Sequence, residues 1–290
     1  MEAFSHAPTV MLATGVEMPA LGLGVYLVRD PAVCETSVET ALRAGYRLVD
    51  TAAMYGNERA VGRGLKASGV PREDVFLTTK VWVTDFGYER TKASIAASLE
   101  RLDSGWIDLM LLHQPVRDVL GSWRAMEEAV DAGTLRAIGI SNFTVADTRR
   151  LLEHARIRPV LNQVELHPYF HQGALTPFLD EQGIVTQSWY PLGHGSKDLF
   201  QERVLVDAAA AHGRSVAQVI LRWHVQRGLA TIPKSTDPEH IVANLDVFDF
   251  SLTETEMAAI EALDKGRPMF RPPRWLLAVG TSLLRPRQLP

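Results

Sequence analysis

Asp50-Thr-Ala-Ala-Met-Tyr-Gly-Asn-Glu58 follows a short apolar run, Arg47 to Val49, that reads as a buried strand, so Asp50 and Tyr55 fall where strand gives way to loop. Two later runs end in the same way. Val75-Phe-Leu-Thr-Thr79 leads into Lys80, and Ile107-Asp-Leu-Met-Leu-Leu112 leads into His113. In a parallel α/β sheet or barrel the loops after the carboxyl ends of the strands gather on one face, where such folds place their chemistry. Asp50, Tyr55, Lys80 and His113 are therefore expected to converge. Each has an ordinary explanation alone: a strand-end Asp caps a turn, a loop Tyr anchors, a strand-end Lys is solvated, and a single His is more often structural than catalytic. Four polar residues that punctuate strands of one hydrophobic pattern make a set those explanations do not cover.

Outward from this stretch the chain alternates. Helical patterns cover about 31–45, 57–69, 89–104, 118–133, 144–156, 173–183, 202–228 (broken at Gly213) and 238–247. Strand-length apolar runs lie near 47, 76, 108, 136, 160, 185 and 230, and Leu21-Gly-Leu-Gly-Val-Tyr26 precedes them, which makes eight strands. Within 89–104, Ile95, Leu99 and Leu102 fall on one helical face. Val10-Met-Leu12 and Met18-Pro-Ala-Leu21, separated by a Thr-Gly turn, read as a β-hairpin that closes one end of the main fold. The glycines of the first core strand suggest close backbone packing or an approaching ligand. Eight βα units in this length predict a (β/α)8 barrel, with a doubly wound open sheet as the alternative. The chain reads as one domain over 1–290, with its core at about 10–263 and a tail at 264–290.

Composition limits the partners. A chain of 290 residues, 46% hydrophobic and 22% charged, suits a soluble globular protein, and a net charge of −4 offers no general attraction for nucleic acid or an anionic membrane. Cys34 is the sole cysteine, so no internal disulfide or thiolate metal site can form, and a reducing cytoplasm is expected. The first fifteen residues have neither the basic start nor the apolar core of a secretory signal. The apolar run Trp275 to Leu284 is about half the length that crosses a bilayer. A small-molecule partner, and a monomer or weak oligomer without a metal, are expected.

Six ordered motifs resemble the aldo-keto reductase family: Asp50 to Glu58, Thr79-Lys-Val-Trp82, Leu109-Met-Leu-Leu-His-Gln-Pro115, Gly139-Ile-Ser-Asn-Phe143, Asn162-Gln-Val-Glu-Leu-His-Pro168 and Ile232-Pro-Lys-Ser235. The likeness runs from about Val10 to Leu263 and is nearest the bacterial diketogluconate and small-aldehyde reductases. It implies a barrel that binds NADPH, and NADH as a second choice, in extended form and reduces aldehydes or ketones to alcohols. Tyr55 would be the general acid, with Lys80 lowering its pKa, Asp50 holding the lysine and His113 orienting the carbonyl. Ser141, Asn142 and Gln163 would hold the nicotinamide carboxamide and Tyr190 would stack on the ring. Lys234 and Ser235 would grip the 2′-phosphate, and Asn244 would meet the adenine. The glycine fingerprint of open-sheet dinucleotide folds is absent, because Gly22 and Gly24 are followed at position 27 by leucine.

Departures from the resemblance are as informative. His240 stands where relatives carry arginine, Ala243 where they carry glutamate, and Gln114 where many carry tryptophan. Because histidine is not a permanent cation near neutrality and cannot make a two-pronged contact, His240 is expected to weaken the preference for NADPH over NADH. Tyr26, Trp82, Gln114 and Trp275 are the substrate-pocket candidates. Two other functions compete: a barrel lyase with a Schiff-base lysine, and a redox-sensing subunit that holds cofactor without turnover.

Overall fold

The computed structural model describes residues 7–270 and Gln288. Strands β1 (Thr9–Met11) and β2 (Glu17–Pro19) form the expected antiparallel hairpin with Val10 opposite Met18, though its second strand stops at Pro19, short of Leu21. Leu12 and Met18 are buried in a cluster with Leu48, Phe76, Leu161 and Ala230, residues at the amino-terminal ends of the barrel strands. The hairpin thus plugs the floor of the barrel.

Eight parallel strands make the wall: β3 (Leu23–Gly24), β4 (Leu48–Asp50), β5 (Phe76–Val81), β6 (Ile107–Leu112), β7 (Leu135–Ser141), β8 (Leu161–Glu165), β9 (Val185–Trp189) and β10 (Ala230–Thr231), each beside the next in sequence. A parallel bridge between Leu21 and Thr231, with Gly22 N donating to Thr231 O at 2.9 Å and Gly24 N to Pro233 O at 3.0 Å, joins the last strand to the first. That closure excludes the open sheet. The first core strand is much shorter than Leu21–Tyr26 because Leu21 and Gly22 are engaged in this seam. A Cβ at Gly22 would lie 2.4 Å from Leu48 Cγ, which is the close packing its glycine suggested.

Helices α1 (Pro31–Ala44), α2 (Glu58–Ser68), α3 (Tyr88–Leu102), α4 (Val119–Asp131), α5 (Val145–Leu152), α6 (Leu175–Glu181), α7 (Lys197–Phe200), α8 (Arg203–His212), α9 (Val216–Gln226), α10 (Pro238–Leu245) and α11 (Glu254–Glu261) cover the outside. The break at Gly213 is real, and α8 and α9 meet at 92° across it. On α3, Ile95 and Leu102 are buried in the main core with Leu99 packed against it, as the helical spacing requires. Helix α11 lies beyond the expected helices; its signal was the capping box Thr253-x-x-Glu256, in which each side chain bonds the other's backbone N–H. Among the described residues no single helix is long and apolar enough to cross a membrane.

Helices α2 and α3 touch through a glycine. A Cβ at Gly62 would stand 2.3 Å from the Leu102 carbonyl oxygen. Helix propensity alone makes Gly→Ala stabilising by up to about 1 kcal/mol, whereas overpacking against backbone costs about 1–3 kcal/mol. The clash wins, so Gly62→Ala is expected to lower the urea midpoint of unfolding; a raised midpoint contradicts the packing.

Candidate active site

Lys80 reaches the carboxyl end of β5 with no exposed surface. Its ammonium donates to Asp50 Oδ1 at 2.5 Å, to Thr51 O at 2.8 Å and to Tyr55 Oη at 3.4 Å. An ammonium has three N–H donors, so all are spent and the side chain is fixed. Such an amine, buried but held beside a carboxylate, is not the free nucleophile that a Schiff-base lyase needs. Asp50, last residue of β4, also accepts from Gln163 Nε2 at 2.7 Å through Oδ2.

Tyr55 closes a 3₁₀ turn, Ala53–Tyr55, which Gly56 terminates at φ 74°. Asn57 holds the turn in place: it accepts from Thr51 Oγ1 at 2.8 Å and donates to Val25 O at 3.0 Å and Val28 O at 3.2 Å. The asparagine stands in the opening stretch with Thr51, but the carbonyls it donates to lie on the β3–α1 loop. Gln288 Nε2 reaches the same turn, donating to Ala53 O at 3.1 Å. His113 follows β6, and its ring lies edge-on to Trp82 at 5.0 Å and to Tyr55 at 5.8 Å. The four strand-end residues do converge.

Burial dominates their acidities. It raises the Asp50 carboxyl and lowers the Lys80 ammonium, and in each case the partner's charge pulls the other way. His113 is pushed well below the usual imidazole range by burial and then by the Lys80 charge, so its ring is neutral at physiological pH. Tyr55 departs from expectation. Burial first, then the Asp50 charge, push its phenol well above the usual value instead of below it. The ammonium that was to lower it spends its field on Asp50 at 2.5 Å, and the pair presents little net charge to the phenol. Tyr55 therefore rests protonated.

A cavity of about 410 Å³ opens above these residues. Tyr26, Trp82, Gln114, Ser141, Asn142, Gln163, Tyr190 and Lys234 line it, together with Trp189 and Phe270. Tyr26 packs on Tyr55 with ring centroids 4.9 Å apart, and Tyr190 is held near Tyr26 at 6.1 Å; burial, then Tyr26, push the Tyr190 phenol up to about 12. Most amide donors are already committed. Gln163 Nε2 bonds Gln187 Oε1 at 2.7 Å as well as Asp50, while Asn142 Nδ2 bonds His113 O at 3.1 Å and Ser141 Oγ at 3.0 Å. Asn142 sits at φ 64°, and its Oδ1 accepts from Trp189 Nε1 at 2.9 Å. Gln187 and Trp189 carry no signal as strand residues, because only the closed barrel turns them toward their partners.

The other cofactor candidates stand apart from the cavity. Lys234 is on its rim, but Ser235, His240 and Asn244 are not among the residues that line it. Ser235 Oγ accepts from Asp237 N at 3.1 Å, and His240 lies exposed in the first turn of α10, its backbone N–H on Asp237 Oδ1 at 3.3 Å. Asn244 is buried on the same helix. Trp275 lies outside the described residues. No group of three or more His, Cys, Asp or Glu side chains that could hold a metal occurs among the described residues.

Comparison with known proteins bears on this arrangement. The aldo/keto reductase family matches residues 21–265. The chain is 48% identical over 258 residues to glyoxal reductase of Bacillus subtilis, covering 89% of this chain and 93% of that protein. It is 43% identical over 274 residues to morphine 6-dehydrogenase of Pseudomonas putida, covering 90% and 92%. An aldo-keto reductase from Bombyx mori, solved in complex with NADP, superposes with a TM-score of 0.89 at 33% identity, covering 93% of this chain and 97% of that one. With a closed barrel, a tyrosine and a lysine–aspartate pair at its carboxyl end, and these relatives, the chain belongs to the aldo/keto reductase family and is an NAD(P)H-dependent oxidoreductase of carbonyl compounds.

Proposed function

We propose that the chain prefers NADPH and reduces small aldehydes, ketones and dicarbonyls, with Tyr55 as proton donor. One observation carries the role of Tyr55: its oxygen accepts the third N–H of Lys80, so its own O–H is left to point elsewhere, into the cavity. A bound nicotinamide supplies the hydride. The substrate oxygen then becomes an alkoxide, a far stronger base than phenolate, and Tyr55 gives up its proton to it even with its pKa raised. Lys80 stabilises the phenolate that is left through the N–H it donates to Oη, and Asp50 keeps the ammonium in place. His113, neutral, bonds the carbonyl oxygen and orients it.

The cavity fits a nicotinamide by the polar atoms it leaves free. With both N–H groups of Gln163 and Asn142 committed, the Gln163 oxygen and the second lone pair of Asn142 Oδ1, whose first takes Trp189 Nε1, remain to accept from a carboxamide NH2, and the Ser141 hydroxyl remains to donate to its carbonyl. Tyr190 offers its ring as a stacking wall, and Lys234 offers a cation at the rim. Similarity to glyoxal reductase supports a small dicarbonyl as substrate. Loss of reduced-nicotinamide absorbance with a panel of aldehydes and ketones, NADPH and NADH in parallel, tests the proposal. Turnover with none of them contradicts it and favours the cofactor-holding subunit.

Cofactor choice has its own test. His240 shares the start of α10 with the exposed Lys234 loop, where a 2′-phosphate would need a permanent, two-pronged cation. His240→Arg is expected to raise the ratio of NADH to NADPH dissociation constants about tenfold. An unchanged ratio removes His240 from the phosphate site. The same reading has the protein acting in the cytoplasm as a monomer or weak oligomer, without nucleic acid or membrane, and gel filtration checks its size.

A further inference from the structure

Glu165 ends β8 with only 3% of its surface exposed, and among the described residues no lysine or arginine pairs with it. Its partners are unusual for a buried carboxylate. His167 Nε2 lies 3.0 Å from Oε1, and the remaining bonds come from backbone far along the chain: Met269 N donates to Oε1 at 2.5 Å, and Phe270 N to Oε2 at 3.1 Å. Desolvating a carboxylate is costly, and two convergent peptide N–H groups offset that cost only while Met269 and Phe270 keep this position. The segment before them is tied once more, by Lys265 N to Tyr169 O at 2.9 Å.

What the carboxylate holds is a wall. Phe270 lines the catalytic cavity and also a second, larger cavity of about 1090 Å³ that lies over α5 and the β8–α6 loop. The two share Gln114, Asn142, Trp189 and Phe270. Gln114, Asn142 and Trp189 belong to the barrel, and Asn142 is tied to Trp189 and to the His113 carbonyl. Phe270 is the member least enclosed by the barrel. It is 47% exposed and meets Trp189 edge-on at 6.0 Å, so its place depends on its backbone rather than on being enclosed.

We propose that Glu165 is a specificity-determining positioning residue: by gripping the Met269 and Phe270 amides it holds Phe270 as a partition between the catalytic cavity and its neighbour, which excludes bulky carbonyl substrates. Glu165 lines the neighbouring cavity and not the catalytic one, so its effect on the reacting site is transmitted through Phe270. The proposal rests on the carbonyl reductase reading for its kinetic half only. A glutamine at this position keeps one acceptor and loses the second.

The test uses the full chain, wild type, Glu165→Gln and Phe270→Ala. Hydrogen exchange of the peptide carrying Met269 and Phe270 is expected to quicken in Glu165→Gln, while peptides from the barrel strands stay protected. Specificity is read as the ratio of kcat/KM for naphthaldehyde to that for glyoxal, with NADPH. Both variants are expected to raise that ratio about tenfold, mainly through KM for the larger aldehyde, with cofactor affinity unchanged. Unaltered exchange overturns the anchor. Faster exchange with an equal loss on both aldehydes shows a structural role only and overturns the partition. A wild type inert to every carbonyl refutes the proposed substrates instead, and leaves the exchange result to decide on the anchor.

Discussion

Tyr55→Phe is expected to lower carbonyl reduction about 10²- to 10⁴-fold, the usual cost of losing a positioned general acid, while the dissociation constant for NADPH hardly moves. The ring stays, and with it the packing on Tyr26 at 4.9 Å and the edge contact to His113. Only the hydroxyl goes. Its loss frees one N–H of Lys80, but the ammonium keeps Asp50 and Thr51 O, so the pair remains ordered. Single-turnover rates against cofactor titration make the check. A variant that retains more than half of the wild-type rate means that another group, or water, delivers the proton. Because burial raises the Tyr55 phenol, the wild-type rate should not fall as pH rises through the range in which an ordinary tyrosine begins to ionise. A decline there would show that Lys80 lowers the phenol after all.

How much of this was legible depended on how local the signal was. Alternating apolar runs and helical faces gave eight strands and most helices, because each is a short-range pattern, and the polar residue ending each run marked Asp50, Lys80 and His113. Closure followed from the count of eight units alone, as the predicted barrel, and its seam at Leu21 and Thr231 was not legible because it is a contact across the whole domain. The acidity of Tyr55 was misjudged for a related reason. A neighbouring ammonium could be foreseen, but its neutralisation by Asp50 and the burial of the group are sums over the folded surroundings. Glu165 stands in the motif Asn162 to Pro168 and suggests no role, because its backbone partners lie 104 and 105 residues away. At the adenosine end the chain offered residue types alone, and only Lys234 reaches the cavity.

Lys80→Met tests the other half of the site and should damage both rate and stability. The developing phenolate loses the N–H that Lys80 donates to it, a loss comparable to removing one oxyanion donor, about 10²- to 10³-fold. Asp50 is left buried with Gln163 as its remaining side-chain donor. Breaking a buried ion pair from one side costs about 3–5 kcal/mol. The penalty should depend on pH in a definite direction. Burial already raises the Asp50 carboxyl above the value it has unfolded, and the Lys80 charge is the main influence holding it down. Without that charge it rises further, so the folded variant binds its proton more tightly than the unfolded chain does. A group of this kind leaves stability intact below the unfolded value, near 4, and removes it progressively as pH rises through the folded value. The gap in unfolding free energy between wild type and Lys80→Met should therefore be small near pH 5 and widen toward neutrality, contrary to ordinary acid denaturation. Adding Asp50→Asn removes the titrating group, so the double variant should regain much of the lost stability and should not lose it again as pH rises toward neutrality. Urea unfolding of wild type and the two variants across that range decides the matter: a single-variant gap that does not vary with pH, or a double variant less stable than Lys80→Met, means that Asp50 is not left as an unpaired buried charge.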